Sequence, residues 1–141
     1  MAALLGVAEG PGTLLIKGPA VRFATGLAQL IDGVEVVAIG ADLMEGEESE
    51  GVSRMVAGHR IPFSSGTFRG ILLSGEVAAL DFDEAVRAVG PSGRIVVLDT
   101  PPESEEWVEA HGLNVLLQEG RVLITQRGQT EALPLVTLRG L

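Results

Sequence analysis

Short apolar runs alternate with segments of helical period along this 141-residue chain, and that alternation restricts the fold more than any other feature. Residues 34–40, Val34-Glu35-Val36-Val37-Ala38-Ile39-Gly40, are apolar almost without interruption, as a strand covered on both faces must be. Residues 13–17 and 68–74 read the same way, 53–57 is a briefer strand, and 93–99 is the clearest of all. Between them, residues 20–31 place Val21, Ala24, Leu27, Ala28 and Ile31 on one helical face before Asp32-Gly33 ends the helix. Residues 79–89 and 102–111 predict two more helices, the second with proline at its start and Gly112 just past its end. Residues 42–51 are acidic and glycine-containing, at best a short helix.

Strand, helix, strand, repeated, predicts a parallel sheet wrapped by helices through right-handed crossovers. Residues 113–118 and 121–126, joined by Glu119-Gly120, predict a closing antiparallel hairpin. The expected architecture is therefore α/β, with five parallel strands and then a hairpin, in a single domain over residues 1–141. Residues 1–11 precede the first strand, and 128–141 form a C-terminal extension. Within that extension, 133–138 could make an added edge strand or a subunit contact.

Composition narrows the function classes. An apolar fraction of 46% and a mean hydropathy of +0.35 belong to a chain with a real core. No apolar run reaches the roughly 18 residues that span a bilayer, and the N-terminus lacks the basic region of a secretory signal, so a cytoplasmic, membrane-free protein is expected. Zero cysteines exclude disulfides and a thiol nucleophile, and two histidines, His59 and His111, disfavour a zinc centre. Net charge is −9, Lys17 is the only lysine, and the arginines are scattered, which disfavours nucleic-acid binding by a basic face. The acidic runs at 45–50 and 103–109 read as solvated surface.

Two segments carry a family likeness. Ile61-Pro62-Phe63-Ser64-Ser65-Gly66-Thr67-Phe68-Arg69-Gly70-Ile71-Leu72-Leu73-Ser74-Gly75 joins a turn, a loop and an apolar strand, and Pro91-Ser92-Gly93-Arg94-Ile95-Val96-Val97-Leu98-Asp99 joins a turn to a core strand. Together they resemble the back half of the S-adenosylmethionine-dependent methyltransferase domain with the Rossmann-like fold. The likeness spans residues 12–127 in order of elements, and it implies a three-layer fold, an S-adenosylmethionine site at the strand carboxyl ends, and the closing hairpin.

The resemblance also implies where the cofactor should sit. The family places an acid and a Gly-x-Gly-x-Gly loop after the first strand, since glycine lets the backbone approach a ligand. Here Ile16-Lys17-Gly18-Pro19-Ala20-Val21-Arg22 retains Gly18, puts Ile16 at the acidic position, and replaces the later glycines with Ala20 and Arg22. Where the family holds the ribose with an acid, this chain has Gly40, with Asp42 two residues later; Asp42 reads either as that acid or as a helix N-cap. His59 falls near the adenine position and reads either as an adenine contact or as a loop residue in solvent. Ser74 and Gly75 would lie under the methyl donor. Glu76 is the carboxylate placed to act as a base, or else to cap the next segment. In the strand itself Arg69 stands where the family has an acid, and the family's N-terminal helical lid has no counterpart.

Core-forming motifs thus persist while ligand-facing ones depart, at Ile16, Ala20, Arg22, Gly40 and Arg69. The leading expectation is a methyltransferase-like domain with an eroded S-adenosylmethionine site, serving as a binding, regulatory or assembly module with a homodimeric or other protein partner. The alternative is a small active methyltransferase with an unusual cofactor loop, so enzymatic activity is left open. A nicotinamide-dependent oxidoreductase is disfavoured by the missing Gly-x-Gly-x-x-Gly and by the hairpin.

Overall fold

The computed structural model describes residues 2–40 and 50–128. Their seven strands form one sheet in the order β3-β2-β1-β4-β5-β7-β6: β1 (Gly12–Lys17), β2 (Val34–Gly40), β3 (Val52–Val56), β4 (Phe68–Leu73), β5 (Val89–Val97), β6 (Asn114–Glu119) and β7 (Val122–Gln126). The first five run parallel; β7 lies antiparallel to β5, and β6 pairs antiparallel on the outside of β7. The predicted five parallel strands and closing hairpin are present. The hairpin loop, however, is Gly120-Arg121, because Glu119 still pairs with Val122.

The sheet is buried on both faces at its centre. Leu14, Leu15 and Ile16 of β1 and Ile71, Leu72 and Leu73 of β4 are each at most 1% exposed, which is why these runs lack polar alternation. One face is covered by α1 (Ala2–Leu5), the 3-10 turn Pro19–Phe23 and α2 (Ala24–Leu30), through Leu5, Val21, Ala24 and Leu27. The other is covered by α3 (Ala79–Ala88) and α4 (Ser104–His111), which bury Phe82, Ala85, Ala88, Trp107 and Val108. Phe82 and Trp107 stack with ring centroids 5.4 Å apart. Gly112 ends α4 in the left-handed conformation, φ 62°, as its place past the last helical residue predicts.

The helix expected over residues 20–31 divides in two. Pro19–Phe23 forms a 3-10 turn and α2 follows from Ala24. Pro19 takes the start of the turn, where its missing N–H costs nothing. Arg22 and Phe23 lie exposed on that turn, the guanidinium 4.8 Å from the ring centre.

From β3 to β4 the chain crosses the α3 face through residues 57–67 without a helix. This strap is fastened to α3 instead. Glu84 accepts the Ile61 N–H at 2.8 Å, and Arg87 donates to the carbonyls of Ile61 at 2.7 Å and Phe63 at 2.9 Å. Ile61 is buried and Phe63 packs edge-on against Phe68 at 5.1 Å. Arg87 first, and the Ile61 N–H second, hold the Glu84 carboxyl below the usual range.

Candidate functional site

Strand order reverses at β1, which pairs with β2 on one side and β4 on the other. In open α/β sheets ligands bind beyond the carboxyl ends of the strands near such a point. A cleft of about 300 Å³ lies there, walled by Pro19, Ile39, Leu73 and Val77 and reached by Lys17, Gly18, Gly40, Gly58, His59, Ser74, Glu76 and Asp81. Arg22 and Phe23 are not among its lining residues, so neither plugs it.

The first turn is locked by close backbone approach. Gly18 has φ 97°, and a Cβ there would overlap the Ser74 carbonyl. The Gly18 N–H donates to Ile39 O at 3.1 Å and the Val21 N–H to Gly18 O at 3.0 Å. Ser74 Oγ accepts from the Ala20 N–H at 2.9 Å and donates to Lys17 O at 3.0 Å. Gly75, φ 82°, packs against Pro19 and does not line the cleft.

On the α3 side the cleft floor is polar. Asp81 is 6% exposed, and its Oδ1 meets His59 Nδ1 at 2.9 Å and Lys17 Nζ at 3.2 Å, while its Oδ2 accepts the Ala78 N–H at 2.8 Å. Lys17 also donates to Gly58 O. Burial alone would raise the Asp81 pKa; the Ala78 N–H, then His59, then Lys17 outweigh it, so the carboxyl is held below its ordinary range. His59 has a side chain 60% exposed, so its ring reaches from Asp81 into solvent.

The structure therefore brings together four of the residues singled out in the sequence: Gly18, His59, Ser74 and Glu76 all border the cleft. Glu76 is exposed, with no hydrogen bond or ion pair among the described residues. It does not cap α3; the Asp81 carboxylate does that through the Ala78 N–H. Asp42, and the segment 133–138, lie outside the described residues. Asp99 sits in the turn after β5, φ 59°, with Arg121 Nη2 3.7 Å from its Oδ1.

One expectation is corrected. Arg69 does not fall on the ligand side of the sheet. It lies at the amino end of β4, where its Nη1 donates to Glu9 O at 2.7 Å and Pro11 O at 2.9 Å, tying the chain's approach to β1. A strand's first residues and its carboxyl end are separated by its length, roughly 3.3 Å per residue, so Arg69 bears on packing and not on the cleft.

The residue that sequence reading missed is Asp81. An acid in a helix's first turn is ordinary for dipole reasons, and nothing local marks it as the partner of residues 22 and 64 positions away.

No protein-family model matches the chain, and no curated protein matches it. Solved structures do. A chain from the complex between the Haloferax volcanii Trm112 methyltransferase activator and a candidate methyltransferase superposes with a TM-score of 0.73 at 12% identity, covering 92% of this chain and 86% of that one. The 1,6-didemethyltoxoflavin-N1-methyltransferase of Burkholderia thailandensis, bound to 1,6-didemethyltoxoflavin and S-adenosylhomocysteine, gives 0.65 at 16% identity, with 90% and 74% covered. An S-adenosylmethionine-dependent methyltransferase from Aquifex aeolicus gives 0.59 at 15%, with 84% of each chain covered. At such identities the likeness is one of fold. The chain has the Rossmann-like α/β fold of the S-adenosylmethionine-dependent methyltransferases.

Proposed function

We propose that this is a methyltransferase-like binding or assembly domain whose cleft does not perform methyl transfer from S-adenosylmethionine. The observation that carries the reading is the first turn. The peptide N–H groups of Gly18, Ala20 and Val21 are spent on Ile39 O, Ser74 Oγ and Gly18 O, and Pro19 has none. The cation beside that turn, Lys17, is spent on Asp81 and Gly58 O. The amino-acid end of S-adenosylmethionine carries a carboxylate, and freeing Lys17 for it would leave Asp81 buried without its cation. That exchange costs several kcal/mol in a partly dehydrated site. These residues fit the cofactor poorly, and no step through it is derived. A partner protein is in keeping with the fold, since one of the similar structures is a complex that contains a methyltransferase activator.

Isothermal titration with S-adenosylmethionine and S-adenosylhomocysteine tests the reading. The expected result is dissociation constants weaker than about 1 mM, about −4 kcal/mol. Micromolar binding of either would overturn it.

A second reading, a small active methyltransferase, draws on the open cleft, on Glu76 standing at its rim without a partner among the described residues, and on the S-adenosylhomocysteine bound by the Burkholderia relative. It predicts cofactor binding that an Asp42→Ala variant abolishes.

A further inference from the structure

At the amino ends of the strands, away from the cleft, a second cavity of about 350 Å³ opens where β4 and β5 begin, bordered by Gly66, Thr67, Arg69, Ser92, Arg94 and Gln126. Both charged residues that line it are cations, in a chain whose net charge is −9. Each guanidinium is anchored through Nη1 to backbone carbonyls. Arg69 donates to Glu9 O and Pro11 O at 2.7 and 2.9 Å, and Arg94 to Ala3 O and Leu4 O at 3.5 and 3.4 Å. A guanidinium carries five N–H donors. Those on Nε and Nη2 of both arginines have no partner among the described residues, and neither arginine pairs with an acid there. Backbone lacking a Cβ packs against each side chain: a Cβ at Gly6 would lie 2.8 Å from Arg94 Cζ, and one at Gly12 would overlap Arg69 Cδ.

The cavity wall is a break in the ladder. Phe68 lies opposite Val89 and Gly70 opposite Arg94, so residues 90–93 bulge out against Arg69 alone. Ser92 sits in that bulge at φ 66°, one of two non-glycine residues at positive φ among the described residues. A serine held there costs energy that glycine would not, and such positions gather where a ligand is clamped. The Ser92 carbonyl accepts from Gln126 Nε2 at 3.0 Å, while its hydroxyl makes no hydrogen bond among the described residues.

We propose that this cavity binds the phosphate group of a small phosphorylated molecule. Guanidinium groups from two neighbouring strands meet a tetrahedral oxyanion from two sides, with Ser92 Oγ as a further donor. The anion offsets two like charges that the strand pairing brings together, since Gly70, next to Arg69, lies opposite Arg94. The volume falls in the range of small-ligand sites and leaves room for a substituent on the phosphate. The site is separate from the cleft at the carboxyl ends, so it stands whether or not that cleft takes a cofactor.

Calorimetric titration of the full chain with inorganic phosphate and phenyl phosphate in low-salt buffer tests this, with benzoate as the planar carboxylate for comparison. The expected result is a phenyl phosphate dissociation constant below about 1 mM, with benzoate weaker. Arg94→Gln is expected to weaken phenyl phosphate binding about tenfold or more, and Ser92→Gly about threefold. The glycine variant relieves the positive φ, so it reports even where the arginine variant fails to fold. Arg121→Gln, an exposed arginine of the last hairpin, is expected to leave the affinity unchanged. Absence of phosphate binding would overturn the proposal. So would benzoate binding as tightly as phenyl phosphate, or a Ser92→Gly affinity equal to that of the unaltered chain.

Discussion

Replacing Asp81 by asparagine removes the charge on the cleft floor while keeping its shape. The carboxylate meets three donors, Ala78 N–H, His59 Nδ1 and Lys17 Nζ, and it is buried. Asparagine can keep the Ala78 N–H on its oxygen, but its amide nitrogen then points a donor at the Lys17 ammonium, which cannot accept. His59 is exposed enough to rehydrate; Lys17, with 15% of its side chain exposed, keeps only the Gly58 carbonyl. Losing one charge-assisted bond and leaving a part-buried ammonium without its counterion sets the cost at about 2–3 kcal/mol. Urea unfolding followed by the fluorescence of Trp107, the chain's single tryptophan, measures it, since that ring packs on Phe82 of the same helix as Asp81. The pH dependence sharpens the test. The folded Asp81 pKa lies below its unfolded value near 3.8, so its stabilisation is complete above that value and is lost as pH falls through the folded pKa. The Asp81→Asn variant has nothing to titrate at this position, so the gap between the proteins closes in acid. A gap below about 0.5 kcal/mol at pH 7, or one that persists unchanged at about pH 2, would refute the reasoning.

Two further outcomes follow from the packing. Gly18→Ala forces a Cβ into the Ser74 carbonyl at φ 97° and is expected to destabilise the fold by about 2–4 kcal/mol, read as a lowered urea midpoint at unchanged slope. Phe82→Ala opens a cavity under α3 and is expected to cost about 3–5 kcal/mol, with a shifted Trp107 emission in the native state; an unshifted spectrum with full stability would contradict the packing described.

The strands were legible because burial on both faces forbids polar alternation. Residues 34–40 could hardly be anything but an interior strand, and the order of elements then fixes the sheet through crossover handedness. Local rules also placed Gly112, whose conformation is set within one helical turn. They misplaced the loop of the last hairpin by one residue, because Glu119 still pairs, and they ran one helix across Pro19–Phe23 where the backbone tightens to a 3-10 turn. The border of the cleft was legible at Gly18, His59, Ser74 and Glu76, but the ion-paired cluster on its floor was not. Gly18 and Ser74 follow from the strand-to-helix turn, whereas Lys17, His59 and Asp81 meet through three separate elements, and no spacing in the chain encodes that meeting. Arg69 was misassigned for the same reason: its side chain answers to Glu9 and Pro11, far away in sequence.

Asp81, Glu84 and Arg87 follow one another at intervals of three, and so share one side of α3. The first supports the cleft floor; the other two hold the strap that delivers Gly58 and His59 to its wall. Each added residue turns a helix by about 100°, so inserting or deleting one between Asp81 and Glu84 would aim only one end of that row correctly. Length variation, which loops absorb readily, is closed to the stretch from Asp81 to Arg87. Among sequences that diverge from this one, gaps should therefore gather on either side of α3 and spare its central turns.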